Sequence, residues 1–246
     1  LLDEMKAPSF ATFGNFIRNE LTTTIEQIFN DINAYIFAQD NVDTNHTYID
    51  GTKIEANANR YTWVWKKSCI KNRDKMFGKI SALIDDMNRE VLFLLGVKFE
   101  KRDEYAIEYL EDILCKYERI VKLDKSKFVS GTGHRKSLYQ RQYQELEGYI
   151  SRLKNYARHI EICGESRNSY SKTDHDATFM RIKRDYMGND QLLPAYNMQA
   201  AICDEYIAVI DAKPYASDME CFVPLMEKFN AVYGHYPKYP VADAGY

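Results

Sequence analysis

The chain has 246 residues and a formal net charge of −3, with 45% apolar and 28% charged residues. These values are typical of an ordinary soluble protein of one large or two small domains, and the overall charge does not predict a nucleic-acid partner. Five scattered cysteines without a Cys-x-x-Cys pair argue against a disulfide framework and a structural zinc site. No apolar run reaches the ~18 residues of a membrane span.

The first residues lack the basic head and apolar run of a signal peptide, so we expect a cytoplasmic protein with reduced thiols. Position 1 is Leu1 rather than Met, and the last residues stop in a strand-and-turn pattern. These two features lead us to expect a fragment of a longer protein.

The N-terminal 41 residues are predicted to be helical. Ile25, Ile28 and Ile32 recur at helical spacing, and Thr22 to Thr24 offer N-cap residues before them. A short helical interaction module accounts for this segment.

The first predicted strand covers residues 47–57 and contains one central acid, Asp50. Strict alternation puts Tyr48, Asp50 and Thr52 on the same face of the strand. The alternative is a hairpin turn at Asp50-Gly51, because Asp-Gly is a strong turn dipeptide.

Basic and aromatic residues are interleaved over residues 60–79, where Asp74 is the single acid. Basic side chains hold phosphates and aromatic rings stack on exposed bases. A solvated helix face above core aromatics explains the same pattern, so both interpretations stay open.

Three amphipathic runs between residues 74 and 162 predict a helical insertion. The most regular run places Tyr143, Leu146, Ile150 and Leu153 at alternating steps of three and four, as in a coiled-coil seam. Residues 122–136 between the second and third runs form a basic loop. Residues 164–190 are predicted to be mainly loop, in which Asp174 and Asp176 cap turns rather than bind a metal.

The last fifty residues predict a β-hairpin, a helix and a final strand. The hairpin covers residues 194–211, Ser217-Asp218 caps the helix, Gly234 ends it, and the strand covers residues 239–243. Without the insertion the order is β-β-β-α-β. A three-strand meander followed by a right-handed crossover places the last strand parallel to, and beside, the first.

This topology brings Asp50 and Asp243 onto neighbouring strands, where two carboxylates can share a cation. Magnesium prefers hard oxygen ligands and needs only one or two protein carboxylates when water and phosphate complete its shell. Two such ions activate water and stabilise a leaving oxygen in phosphodiester cleavage.

Several sequence blocks, in order, resemble bacterial insertion-sequence transposases of the Asp-Asp-Glu type, which have an RNase H-like core. The blocks are IDGTKIEANAN (residues 49–59), YTWVWKK (61–67), DATFM (176–180), PAYNMQ (194–199), VADAGY (241–246) and, near the start, APSF (7–10) with Phe13 and Phe16. The resemblance therefore covers nearly the whole chain.

The resemblance implies an α/β (α+β) fold with a partial RNase H-like sheet, and Asp50 and Asp243 as the first and second catalytic acids. They would bind two Mg²⁺ ions, with Mn²⁺ as a substitute, for strand cleavage and strand transfer at element ends and target DNA. The third acid, a glutamate, is expected beyond Tyr246. Asn197 and Gln199 resemble a family-typical pair. Two interpretations are open for them: a role near the site, and hydrogen bonding in the core or at the sheet edge.

The implied division has four parts: an N-terminal helical segment (1–41), the first part of the catalytic core (42–66), a helical insertion (67–165) and a truncated second part of the core (166–246). Six residues are predicted to contact DNA: Lys53, Arg60, Trp63, Trp65, Lys66 and Lys67. The protein is expected in the bacterial cytoplasm with the nucleoid, without a membrane partner, and a homo-oligomer is open.

Two other functions fit part of the sequence. One is a nuclease on the same fold that cuts DNA without joining strands. The other is a non-catalytic helical DNA-binding or scaffold protein, which the long insertion favours.

Overall fold

A computed structural model describes residues 8–90, 92–131, 133–182, 188 and 191–246. In chain order the elements are α1 (Phe10–Phe16), α2 (Thr22–Asp40), β1 (His46–Glu55), β2 (Trp63–Trp65), α3 (Lys66–Glu90), α4 (Ile107–Ile120), α5 (Leu138–Cys163), β3 (Ser169–Ser171), β4 (Thr178–Arg181), β5 (Leu192–Cys203), β6 (Tyr206–Lys213), α6 (Met219–Tyr233) and β7 (Tyr239–Ala242). A π-helical turn, Ile17–Leu21, joins α1 to α2. Short 3₁₀ turns lie at Leu92–Leu95 and Lys125–Lys127.

The chain divides into two compact units. The sheet unit comprises Leu1–Ile54 and Tyr196–Tyr246, and the helical unit comprises Glu55–Ala195. Helices and strands occur together, with both parallel and antiparallel strand pairs. The predicted mixed α+β class is therefore confirmed.

In the sheet unit, β1 lies between β5 and β7, and β6 pairs with β5. The β5–β6 pair is antiparallel and the β1–β7 pair is parallel. The predicted hairpin and the predicted parallel pairing of first and last strands are thus confirmed. The hairpin follows from the alternation of apolar residues. The parallel pairing follows from the crossover through α6.

Helix α6 buries its apolar face in the core of the sheet unit. Leu225 and Phe229 are fully buried there, in one cluster with the buried residues Phe37 of α2, Ile49 of β1 and Val209 of β6. Gly234 ends α6 in the left-handed conformation at φ 76°, as predicted for its C-cap. This packing fixes β1, the strand that carries Asp50.

In the helical unit, α3 and α4 both pack against α5. The predicted seam of α5 is confirmed, because Tyr143, Leu146, Ile150 and Leu153 are all buried in one core. A smaller cluster around Tyr170 joins α3 and α5 to the β2–β3 pair. Among the described helices, none combines the length and apolar character that crossing a bilayer requires.

The structure decides two local alternatives and adds two strands. The predicted strand at Asp50 is confirmed and its alternative, a hairpin turn at Asp50-Gly51, is wrong, since β1 continues through the dipeptide to Glu55. Helix α3 begins at Lys66, directly after β2, so most of the basic stretch is helical, as one of its two interpretations required. The predicted loop over residues 164–190 contains β3 and β4, whose residues 169–171 and 178–180 are buried.

Candidate functional site

Asp50 lies in β1, and Asp243 directly follows the last residue of the neighbouring strand β7. The parallel register pairs Tyr48 with Val241 and Ile49 with Ala242, so the next residue on each chain is an aspartate. Paired strands run about 4.8 Å apart, so the backbones of the two acids are close neighbours. The structure therefore brings together the two acids that the sequence singled out.

Each carboxylate is oriented by a backbone N–H close to it in the chain. Gly51 N–H donates to Asp50 Oδ1, and Gly245 N–H donates to Asp243 Oδ1, both at 2.8 Å. Both aspartates are exposed. Within the described residues, the second oxygen of each carboxylate has no hydrogen-bond or ion-pair partner, so it can bind a cation.

A buried polar network lies beside the two acids. Gln199 Nε2 donates to Asn197 Oδ1 at 2.8 Å and to Asp218 Oδ1 at 3.2 Å, and Asn197 Nδ2 donates to Asp218 Oδ1 at 2.6 Å. Asn197 and Gln199 are fully buried. The Tyr246 hydroxyl donates to Gln199 Oε1 and completes the network.

The Gln199 amide lies directly against the backbone of Gly51. A Cβ at that position would stand 2.3 Å from Gln199 Nε2 and 2.6 Å from Oε1. Glycine is therefore required here by space, and the network holds β1 at the residue next to Asp50. This explains the Asp-Gly pair without a turn.

The Tyr246 phenol lies close enough to the acids for their charges to affect its pKa. Burial, followed by the negative charges of Asp218, Asp50 and Asp243, raises the pKa of its phenol well above the usual range. The phenol is therefore a stable hydrogen-bond donor. Sequence reasoning did not single out Tyr246, because no local pattern connects it to Gln199, 47 residues earlier.

Asp218 has a different role from the one that the sequence predicted. It stands at the N-cap position of α6, but its side chain makes no capping hydrogen bond. Instead, its carboxylate accepts hydrogen bonds from Asn197 and Gln199. The predicted cap position is confirmed, but the Asp218 side chain does not cap the helix, because two buried amides donate to its carboxylate.

The predicted DNA-contacting residues differ in their surroundings. Lys53 is half-buried on β1 of the sheet unit. In the helical unit, the Lys66 ammonium donates to the carbonyls of Gly164 and Glu165, just past the end of α5. That contact gives Lys66 a structural role, whereas Lys67 is exposed. Arg60 is half-buried in the loop before β2.

The two predicted stacking tryptophans pack against other rings. Trp63 meets Phe179 edge-on, with ring centroids 4.6 Å apart, and its centroid is 5.6 Å from that of Trp65. Trp63 keeps 40% of its surface exposed. These contacts explain the aromatic run as packing around β2, with one partly accessible ring.

The donor chemistry of the site fits a hard divalent cation. Both Asp50 and Asp243 offer a carboxylate oxygen, which is the ligand that Mg²⁺ and Mn²⁺ prefer. Among the described residues, no group of three or more His, Cys, Asp or Glu is arranged to hold a metal. Asp174 Oδ1 accepts from the Asp176 N–H at 3.1 Å, as expected for a loop residue.

Comparison with known proteins found no matching family model, no matching curated protein and no matching solved structure.

Proposed function

We propose that this chain carries two of the three catalytic acids of an insertion-sequence transposase with an RNase H-like sheet. The register of β1 and β7, which sets Asp50 beside Asp243, is the observation that carries the proposal. The sequence blocks around both acids support it. Such a protein acts on DNA in the bacterial cytoplasm, in association with the nucleoid.

In the proposed reaction, a water oxygen attacks the phosphorus at the element's end. The bond from phosphorus to the 3′ oxygen breaks, the attacking water loses one proton to solvent, and the leaving 3′ oxygen takes up one proton from solvent. The products are a 3′-OH and a 5′-phosphate. The free 3′-OH then attacks a target phosphodiester and releases a new 3′-OH. Bound Mg²⁺ would activate the nucleophile and stabilise the leaving oxygen.

In this proposal, the residues of this chain bind the metal ions and orient the carboxylates that hold them. Asp50 and Asp243 would supply the protein ligands, and the N–H groups of Gly51 and Gly245 hold each carboxylate in place. Gln199 and Tyr246 support both sides of the pair, since one lies on Gly51 and the other follows Asp243.

Metal binding tests the site in this chain alone. Mn²⁺ titration followed by electron paramagnetic resonance should show binding that Asp50→Asn and Asp243→Asn each weaken by at least about tenfold, the smallest effect typical of altered metal sites. Asp176→Asn removes the same charge from an exposed loop and should leave the affinity unchanged. Equal affinity in all four proteins would refute the site.

Strand cleavage and joining test the activity, in the full-length product of the reading frame. With Mg²⁺ and labelled element ends, we expect cut and joined products, and we expect Asp50→Asn or Asp243→Asn to abolish both. Cut products without joined products indicate a nuclease. Cleavage that survives in both variants contradicts the proposal.

A further inference from the structure

The outer face of α3 carries four lysines at a constant spacing of four residues. Lys67, Lys71, Lys75 and Lys79 are all exposed, and we call them the lysine stripe. Each step of four residues turns the helix by about 40°, so the stripe covers roughly 120° of the helix surface. Met76 and Ile80 are buried on the opposite face.

The lysine stripe has no intramolecular partner in the described part of the chain. None of its ammonium groups forms a hydrogen bond or an ion pair there, and the nearby acid, Asp74, is paired with Arg73 at 2.9 Å. Five other lysines of the helical unit form ion pairs with nearby carboxylates. Examples are Lys101 with Asp85, Lys116 with Asp112, Lys127 with Asp124 and Lys154 with Glu111.

Unpaired lysines four residues apart repel one another. Like charges at this spacing destabilise a helix by about 0.2–0.5 kcal/mol per pair. An external polyanion relieves this repulsion, whereas the paired lysines gain nothing from it. The net charge of the chain is −3, so attraction to a polyanion requires a locally basic surface such as this face.

The dimensions of the lysine stripe fit a nucleic-acid backbone. Successive lysines rise by about 6 Å along the helix and the whole stripe by about 18 Å. One strand of duplex DNA presents a phosphate about every 3.4 Å of its axis, so the stripe spans about five phosphates. Exposed Ser68, Asn72 and Gly78 lie beside the lysines and leave room for close approach.

We propose that the lysine stripe of α3 binds the phosphate backbone of duplex DNA. The choice of DNA as the polyanion rests on the proposed function, but the binding itself needs no metal and no catalytic acid. The stripe shares only Lys67 with the residues that the sequence predicted, and it excludes Lys66, whose ammonium contacts carbonyls next to α5.

Salt dependence of duplex binding tests this inference, measured in EDTA with a generic 30-base-pair duplex. Replacing all four lysines by Gln should make the slope of log K against log salt shallower by up to about 3.6, which is 0.9 per phosphate contact. Between 50 and 200 mM salt, that difference in slope changes the ratio of the wild-type affinity to the variant's affinity by on the order of 100-fold. Gln has nearly the helix propensity of Lys, so α3 is retained.

Two further variants make the test specific. The control variant removes the same charge from paired positions and should keep the wild-type slope. In it, Gln replaces Lys101, Lys116, Lys127 and Lys154. Replacing the four lysines of the stripe by Arg preserves the charge and should also keep the wild-type slope. If the control loses as much slope as the stripe variant, the attraction is not local and the inference fails.

The remaining arms separate this inference from the proposed function. Asp50→Asn and Asp243→Asn should keep the full slope of log K against log salt. Loss of the metal site therefore does not refute DNA binding by the lysine stripe. A stripe variant that binds duplex DNA like wild type refutes the inference and leaves the metal site untouched. Vesicles with anionic lipid should bind more weakly than the duplex, and stronger stripe-dependent binding to them overturns the choice of DNA.

Discussion

At the scale of single residues, Gly51 is a position of the site that has no room for a side chain. Its backbone is in contact with the Gln199 amide, and that amide cannot swing away without losing its hydrogen bonds to Asn197 and Asp218. A side chain at residue 51 therefore displaces either a buried network or the strand next to Asp50.

We expect Gly51→Ala to destabilise the sheet unit by about 1–3 kcal/mol, the usual cost of forcing extra atoms into a packed interior. Faster hydrogen–deuterium exchange of α6 amides measures the loss. Combining it with Gln199→Ala should cost less than the sum of the two single changes, because the truncated side chain no longer meets the new methyl group.

Gly78 of α3 provides the matched control, since a Cβ there meets nothing within 4 Å. In an exposed helix interior, Gly→Ala should stabilise by about 0.5–1 kcal/mol. If Gly51→Ala proves as harmless as Gly78→Ala, then Gln199 is not fixed over β1.

At the scale of elements, the contact between α5 and β3 contains a titratable hydrogen bond. His159 Nδ1 of α5 lies 2.6 Å from the Tyr170 hydroxyl of β3. Burial lowers the pKa of His159 below its usual value of 6.5, and the nearby positive charges of Lys172, Arg158 and His175 lower it further. The folded helical unit therefore favours the neutral imidazole.

This shift makes the helical unit sensitive to mild acid. Well above pH 6.5 the imidazole is neutral in both the folded and the unfolded chain, and its contribution is fully present. As the pH falls, the unfolded chain binds the proton first, so the free energy of unfolding decreases until the folded pKa is passed. We expect His159→Gln to reduce the loss of stability between pH 7.5 and pH 5.5.

Tryptophan fluorescence during urea unfolding measures this effect, because Trp63 and Trp65, the two tryptophans of the chain, both lie in the helical unit. His134→Gln serves as the control, since it removes an exposed histidine from the loop before α5. A pH-dependent loss that is the same in His159→Gln and in wild type would show that this contact is not responsible.

The elements also show what the sequence could predict. The seam of α5, the β5–β6 hairpin and the Gly234 end of α6 follow from local periodicity and turn chemistry, and the structure confirms them. Strands β3 and β4 have only three and four residues, so their alternation is too short to distinguish from a loop. Their burial depends on partners far away in the chain.

The candidate site likewise has features that the sequence predicted and features that it did not. The crossover rule predicted that the strands of Asp50 and Asp243 would be neighbours, and the register puts the two acids side by side. The polar network behind them could not be predicted, because the bonds of Gln199 to Tyr246 and Asp218 join residues 47 and 19 positions away. Local turn propensity at Asp50-Gly51 was misleading for the same reason.

At the scale of the whole molecule, the two units carry separate cores. Leu225 and Phe229 belong to the core of the sheet unit, whereas Leu146 and Leu153 belong to that of the helical unit. Asp50 and Asp243 both lie in the sheet unit. A cation bound between them therefore acts by mass action on the unit that contains its ligands.

We expect Mg²⁺ at 100 times its dissociation constant to slow opening of the sheet unit by about 2.7 kcal/mol, which is about 100-fold in exchange protection. Hydrogen–deuterium exchange of peptides from β1 and α6 measures it, and peptides from α3 and α5 serve as the internal reference. Asp50→Asn should abolish the difference. Protection that rises equally in both units, or that persists in Asp50→Asn, would place the cation elsewhere, because only ligands within the sheet unit confine its effect to that unit.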